Sequence, residues 1–247
     1  MPGCPGIKRL EIAIVSWIRP SAGLLSLFAM LWLATGAAYA AYPKTIEALQ
    51  DRYADEVVAH QKYGAYAEHA LAEDYPAIAH LFRALAASEA IHARNFARLL
   101  RELGQEPRMP AVKFEVSTTR KHLQQAATVE ADEIDSRYPK ILEGIKAENH
   151  AEAIRYITYA WKAEQQHREL ILQIKKAASW FFGMLVSRIE GDPTRYYVCQ
   201  VCGATATELP AGQCPICDHP SSEYKEVPGF DVSRTRKKQE QQFPWDQ

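Results

Sequence analysis

Two short words in this sequence are each spelled twice, and their letters are those that bind metals. Glu89-Ala90-Ile91-His92 and Glu164-Gln165-Gln166-His167 both place a glutamate three residues before a histidine. On a helix, residues i and i+3 share a face, so each word can aim a carboxylate and an imidazole at one point. Glu89 and His92 also fall in step with Phe82, Leu85, Phe96, Leu99 and Leu103, the apolar stripe of their segment. A carboxylate at such a position is costly unless a partner or a metal compensates it. Glu56 sits in a similar seam with Leu49, Tyr53, Ala59, Tyr63, Ala67 and Ala70. Glu130 and Glu133 lie one turn apart, on or beside the side marked by Leu123, Ala126, Ile134, Tyr138, Ile141 and Ile145. A lone Glu-x-x-His is usually a solvated pair. Two copies in apolar seams, with carboxylates on the complementary helices, point to a two-metal site formed by Glu56, Glu89, His92, Glu130, Glu133, Glu164 and His167. Such donors suit iron or manganese, and bridging carboxylates suit two-electron cleavage of an O–O bond. The other histidines are expected on the surface or behind the ligands, with His60, one turn from Glu56, the one nearest the site.

The other repeated word is Cys199-x-x-Cys202 and Cys214-x-x-Cys217. Paired C-x-x-C knuckles signal a tetrahedral tetrathiolate site, which zinc or a single iron can fill. A structural zinc ribbon and two disulfides are the bland alternatives. Iron is favoured by context, because a thiolate iron carries single electrons and a two-iron site consumes them.

Four helices must position the first set. Periodicity predicts them over about 45–72, 76–103, 117–147 and from 150 to about 188. Asp74-Tyr75-Pro76 forms a capped turn between the first two, and Gly104 stops the second. Glu106 to Pro110 begins a connection able to cross the length of a bundle. Pro139 should kink the third helix, and Asn149 to Glu152 reads as a capping box for the fourth. Ala54-Asp55-Glu56 and Ala131-Asp132-Glu133 suggest that the two helix pairs are an internal repeat. A glutamate from each of two helices and Glu-x-x-His from each of the others is the ligand plan of ferritin-like di-metal bundles. The fold class expected is all-α: a ferritin-like four-helix bundle over 41–190, then a small cysteine-knuckle domain over 191–230. Residues 231–247 read as a solvated, disordered tail.

The 247 residues carry a formal charge of −1, which gives no argument for a nucleic-acid partner. Residues 1–40 read as a leader, with a basic start, an uncharged run from Ala22 to Tyr39 and small residues before Ala41. An exported, periplasmic protein is expected, or one anchored by residues 22–39 if the leader is retained. Membrane contact follows only in the second case.

ADEVVAHQKY, ASEAIHA, VEADEIDSRYP, AEQQH, YVCQVCG and CPICD give the chain a resemblance to the rubrerythrins over about residues 45–227. The resemblance implies that Glu56, Glu89, His92, Glu130, Glu133, Glu164 and His167 hold two non-haem irons. It implies that Tyr63 and Tyr138 stand beside the iron carboxylates. It also implies that Cys199, Cys202, Cys214 and Cys217 hold a third iron in a rubredoxin-like domain. The activity implied is reduction of hydrogen peroxide to water, with electrons from a redox donor protein or reductase relayed through the thiolate iron. The assembly implied is a homodimer in which each rubredoxin-like domain lies near its neighbour's di-iron site, a short linker favouring that arrangement. A ferroxidase or iron-binding ferritin-like protein, and a non-catalytic electron-transfer protein, are the competing readings. Asp218 stands where the family has glycine after the fourth cysteine; Asp tolerates the left-handed backbone needed there.

Overall fold

The computed structural model describes residues 41–181 and 194–230, with side chains of the long final helix described as far as Lys176. The leader, the tail, the Trp180-Phe181-Phe182 stretch and the expected helix end near Arg188 lie outside the described residues or side chains. Among the described residues no helix is long and apolar enough to cross a membrane.

Two long helices, α1 (Pro43–Ala72) and α2 (Pro76–Glu102), form an antiparallel pair. Proline opens each of them, where its missing N–H costs nothing. Asp74 does not cap α2. It takes φ 61° at the end of α1, where its N–H and that of Tyr75 reach back to the Leu71 and Ala70 carbonyls. Gly104, at φ 71°, ends α2 through the same pair of bonds, to Arg101 and Leu100. The chain then climbs the bundle. Gln50 holds it at the bottom through the Glu106 carbonyl and the Arg108 N–H, and Phe114 meets Tyr66 edge-on further up. At the top the Glu73 carboxylate accepts the Thr119 N–H at 2.9 Å.

The third helix is not the kinked rod expected over 117–147. It comprises α3 (Thr119–Asp132), a π-turn (Glu133–Arg137), α4 (Tyr138–Ile145) and a 3₁₀ turn (Lys146–Glu148). The π-turn is where Pro139 makes itself felt. Tyr138 N–H reaches five residues back to the Glu133 carbonyl, and in that register Pro139 should donate to Ile134 but has no hydrogen. The Trp161 indole N–H supplies the missing bond to the Ile134 carbonyl at 2.9 Å. Below, Glu148 accepts the Lys44 and Thr45 N–H groups, both at 2.8 Å, and so closes the N-terminus of α1 with a charge of favourable sign.

The final helix, α5 (Ala151–Phe181), is not opened by an Asn149 capping box. Asn149 takes φ 50°, and the His150 Nδ1 accepts the Ala153 N–H instead. In the bundle α1 neighbours α2, α2 neighbours α5, α5 neighbours α3 and α4, and α4 returns to α1. The C-terminal module is a three-stranded antiparallel sheet in the order β2-β1-β3, from β1 (Tyr196–Cys199), β2 (Thr205–Ala206) and β3 (Tyr224–Val227). The architecture is the ferritin-like bundle with a rubredoxin-like knuckle domain that the motifs implied.

Because Trp161 completes the π-turn, Trp161→Phe should keep the ring but orphan the Ile134 carbonyl. A loss of about 1–3 kcal/mol in denaturant-unfolding stability is expected; an unchanged midpoint would remove this role from the indole.

Candidate metal centres

The bundle core holds two quartets that share an edge. Glu56, Glu89, His92 and Glu164 present ligand atoms within 4.8 Å of one another, and so do Glu89, Glu130, Glu164 and His167. Glu89 and Glu164 belong to both, the placement required of carboxylates that bridge two metals. His92 Nδ1 lies 3.0 Å from Glu89 and 3.3 Å from Glu164, while His167 Nδ1 lies 2.8 Å from Glu164 and 3.3 Å from Glu89. All six side chains are buried. Tyr138 donates to Glu56 at 2.9 Å and Tyr63 to Glu130 at 2.5 Å, so one tyrosine steadies the outer carboxylate of each quartet.

Glu133 stands outside both quartets. At the start of the π-turn, it lies 3.0 Å from Arg137 and 3.6 Å from the fully buried guanidinium of Arg52, which also lies over the Tyr138 ring. The repeat in the sequence matched Glu56 to Glu133, whereas in space the partner of Glu56 is Glu130. Arg52 was missed in the sequence, although it falls one turn before Glu56 on the same inward seam. His60 is exposed and turns to the Ala86 carbonyl. His80 and His122 were expected on the surface or behind the ligands; both are buried, but against other partners: His80 meets the Val227 carbonyl, and His122 stacks on Tyr66 while accepting the Ser117 N–H.

The four cysteines are buried free thiols, which removes the disulfide alternative. Cys199 and Cys217 Sγ lie 3.8 Å apart, and Cys202 and Cys214 Sγ lie 3.6 Å apart. A tetrahedron with metal–sulfur bonds of about 2.3 Å has edges of roughly 3.8 Å, so the cluster already has the dimensions of a tetrathiolate site. Gly203 and Asp218, each following the second cysteine of a knuckle, take φ 81° and 58°, so aspartate does replace glycine in the fourth-cysteine turn. The Tyr224 hydroxyl donates to Cys214 Sγ at 3.2 Å.

The module lies directly over the histidine face of its own chain's bundle. Ser88 donates to the Gly203 carbonyl at 2.6 Å, Asn95 to Val201 at 2.8 Å, and Gln166 accepts the Thr205 N–H at 3.0 Å. The twelve residues from 182 to 193 can span up to about 40 Å, while Phe181 lies only roughly 21 Å of helix beyond His167.

This docking sets the tautomers. The Cys202 carbonyl can only accept, so His92 Nε2, 3.1 Å away, carries the hydrogen. Thr205 Oγ1 donates to the Gly203 carbonyl and therefore accepts from His167 Nε2 at 3.3 Å. Both imidazoles thus turn Nδ1 to the carboxylates, as metal ligands held by a second hydrogen bond do. Glu130 Oε2 and Glu164 Oε1 have no hydrogen-bond partner despite burial. The donor sets fit two irons in the bundle and one among the thiolates.

Charge in this core is tightly linked. Burial, then Glu89 and Glu164, holds Glu56 well above the usual carboxylate range; burial and Glu164 do the same to Glu130. Burial and Glu164 push Glu133 to about 7 against Arg52. Burial alone would lower the imidazoles, but Glu164 and Glu89 raise His92 to about 10 and lift His167 well above its ordinary value. Burial likewise favours protonation of Glu89 and Glu164, yet the imidazoles hold both below the ordinary range.

A family model for rubrerythrin matches residues 47–175, which include all seven candidate ligands of the bundle. Rubrerythrin-2 of Clostridium acetobutylicum is 33% identical over 174 residues, covering 70% of this chain and 91% of its own. Nigerythrin of Nitratidesulfovibrio vulgaris is 28% identical over 181 residues, covering 73% of this chain and 85% of its own. A solved structure of fully reduced, all-ferrous nigerythrin matches with a TM-score of 0.63 at 29% identity, over 74% of this chain and 86% of that one.

Glu89→Ala and His92→Ala should each abolish bundle iron while leaving the thiolate spectrum intact; two bundle irons per chain in either variant would sink the ligand assignment. In metal-free protein, the raised groups keep protons that the unfolded chain has already released. Their stabilisation is therefore lost as pH rises, from 4.5 to about 7 for Glu133 and from 6.5 to about 10 for His92. Thermal unfolding of the metal-free protein should shift to lower temperature between about pH 6 and 9, and iron-loaded protein should shift far less. A metal-free midpoint that rises with pH would contradict the protonation assigned.

Proposed function

The chain belongs to the rubrerythrin family, and from that premise we propose that it is a non-haem di-iron peroxidase that reduces hydrogen peroxide to water. The observation that carries this reading is the contact between its two centres: Cys202, a candidate thiolate ligand, offers its carbonyl to the Nε2–H of His92, a candidate ligand of the iron pair. A ferroxidase has no need of an electron supply so placed.

In this reading Glu56, Glu89, His92, Glu130, Glu164 and His167 would hold two irons, with Glu133 outside the two quartets against Arg52 and Arg137, and Cys199, Cys202, Cys214 and Cys217 would hold the third. When bound, the iron pair supplies two electrons to the O–O bond, replenished singly through the thiolate iron from a redox donor protein or reductase. The protein's own groups do the rest. Tyr63 and Tyr138 keep the outer carboxylates oriented, and each holds its hydroxyl proton beside a carboxylate that receives it. Burial first, and then the neighbouring carboxylates, keeps both phenols well above their ordinary pKa, so the protons stay in place until charge develops nearby. Arg52 and Arg137 hold Glu133 on the far side of α1 from the module. Ser88, Asn95 and Gln166 fasten the knuckle to the histidine face and exclude water from the path between the centres.

Gly203 sets the closeness of that path. A Cβ there would sit 2.3 Å from His92 Nε2 and 2.9 Å from Ser88 Oγ, and φ 81° disfavours any side chain. The test is rapid mixing of reduced, iron-loaded protein with hydrogen peroxide or oxygen, following both iron centres by their visible spectra. Peroxide should oxidise the bundle irons first and faster than oxygen does, with the thiolate iron following. Gly203→Ala should retain all three irons yet slow the second phase by about tenfold or more. Oxidation no faster with peroxide than with oxygen would leave the ferroxidase reading; an unchanged second phase in Gly203→Ala would remove the Cys202–His92 contact from the route.

A further inference from the structure

On the side away from the knuckle module, a cavity of about 550 Å³ opens between α1 and α3. Val58, Ala59 and Tyr66 of α1, Phe114 of the climbing connector and Val129 of α3 form its walls. Its lining also includes Tyr63, whose hydroxyl bonds Glu130, and Glu133, which faces the two arginines. The cavity therefore runs from solvent to Tyr63, the hydrogen-bond donor of Glu130, although none of the six quartet side chains lines it, while the histidine side lies under the module.

Its size and walls do not match hydrogen peroxide. That molecule has two heavy atoms and needs only a few hydrogen-bonding groups, whereas a water's share of liquid volume is about 30 Å³. A cavity of 550 Å³ is within the range of pockets for drug-sized ligands, roughly 300–1,000 Å³, which combine apolar walls with a few polar groups. Here two valines, two alanines and the rings of Tyr66 and Phe114 stand beside Asp55, Lys62, Glu115, Gln125 and Arg137, with Tyr63 and Glu133 on the side towards the bundle core. Val129, one of the lining residues, remains 47% exposed among the described residues.

We infer that this cavity seats the organic part of an alkyl or aryl hydroperoxide, so that the centre reduces ROOH as well as hydrogen peroxide. The inference rests on the peroxidase reading above. In the reaction, ROOH with two electrons and two protons gives ROH and water. The O–O bond breaks, the distal oxygen leaves as water and the proximal oxygen stays on carbon as the alcohol. The electrons come as two single equivalents from the same redox donor protein, and the protons come from solvent.

Two measurements test this on full-length, iron-loaded protein. The first is calorimetric titration with 2-phenylpropan-2-ol, the alcohol left by cumene hydroperoxide, which needs no turnover. The second is the ratio of kcat/KM for cumene hydroperoxide to that for hydrogen peroxide. Val129→Trp and, from the opposite wall, Val58→Trp should fill the cavity without touching a candidate ligand. Saturable binding of the alcohol is expected in the native protein, weakened about tenfold or more in both variants. The kcat/KM for cumene hydroperoxide should fall by a similar factor, while that for hydrogen peroxide changes by less than about twofold. Absence of saturable alcohol binding, or equal loss of both peroxidase activities, overturns the inference. Native protein that reduces hydrogen peroxide but not cumene hydroperoxide overturns it and leaves the peroxidase reading standing. Native protein that reduces neither overturns that reading as well.

Discussion

Four carboxylates and two imidazoles share one dry core, and their charge has to balance there. An isolated carboxylate in such surroundings would be driven to its neutral form. Without metal the core reaches balance through protons: each imidazole is charged against Glu89 and Glu164, while Glu56 and Glu130 are pushed towards their acids. The direction of every one of these shifts is towards bound protons that offset the carboxylate charge, the same sign of compensation that metal cations would give. Exchange of protons for cations keeps the sign of that compensation, so metal uptake asks for no change of burial. Breaking the box by removing one member leaves the others uncompensated, which is costlier than the net contribution of the intact set.

That constraint reaches beyond the two quartets. Glu130 must face the core and Glu133, three residues on, must face Arg52 and Arg137. A regular helix would place both on nearly the same side. The backbone between them is in fact regular α-helix, with the Glu133 N–H on the Val129 carbonyl, so it is Arg52 and Arg137 that draw the Glu133 side chain aside. The π-turn starts only there, and Pro139 and Trp161 make it sustainable by removing one donor and supplying another. Arg52, buried one turn before Glu56, then holds a carboxylate that would otherwise be a third uncompensated charge on that side. Burial weakens it as a cation, but Tyr138, Glu56, Glu133 and Asp55 more than restore its charge.

The six residues that the structure gathers into two quartets were legible in the sequence because each is a polar letter at an apolar beat, and the beat of a helix is regular. The cysteines were legible from spacing alone. What periodicity could not show was any departure from 3.6 residues per turn, so Pro139 read as a kink, and the repeat aligned Glu56 with Glu133 instead of Glu130. Caps were also misread. Asp74 and Asn149 are good capping letters, but both were taken up by left-handed turns, and the helix ends found partners distant in sequence, Glu73 and Glu148. His80 and His122 looked like surface residues because nothing local announces a backbone carbonyl or a tyrosine ring supplied from another element. The docking of the module was not legible at all. Ser88, Asn95, Gln166 and Thr205 are ordinary polar residues until the backbone of the knuckle is brought against them.

That docking gives one short segment two duties. Cys202 lends sulfur to the thiolate cluster and its carbonyl to His92, while Thr205 both receives His167 and hands its own hydrogen to Gly203. The segment therefore fixes which imidazole nitrogen faces the metals as well as how near the two centres lie. If the knuckle were only an electron carrier, it could dock anywhere within transfer range, and the histidines could find carbonyls within the bundle. Because it supplies their second hydrogen bonds, loss of its fold should alter the bundle centre even where no electron has to pass. The joint closes one side of the site with polar contacts, and the cavity between α1 and α3 lies on the other. On the function and the substrate site proposed above, electrons and the organic peroxide would approach from different faces, so a bound substrate would not have to displace the Cys202–His92 contact.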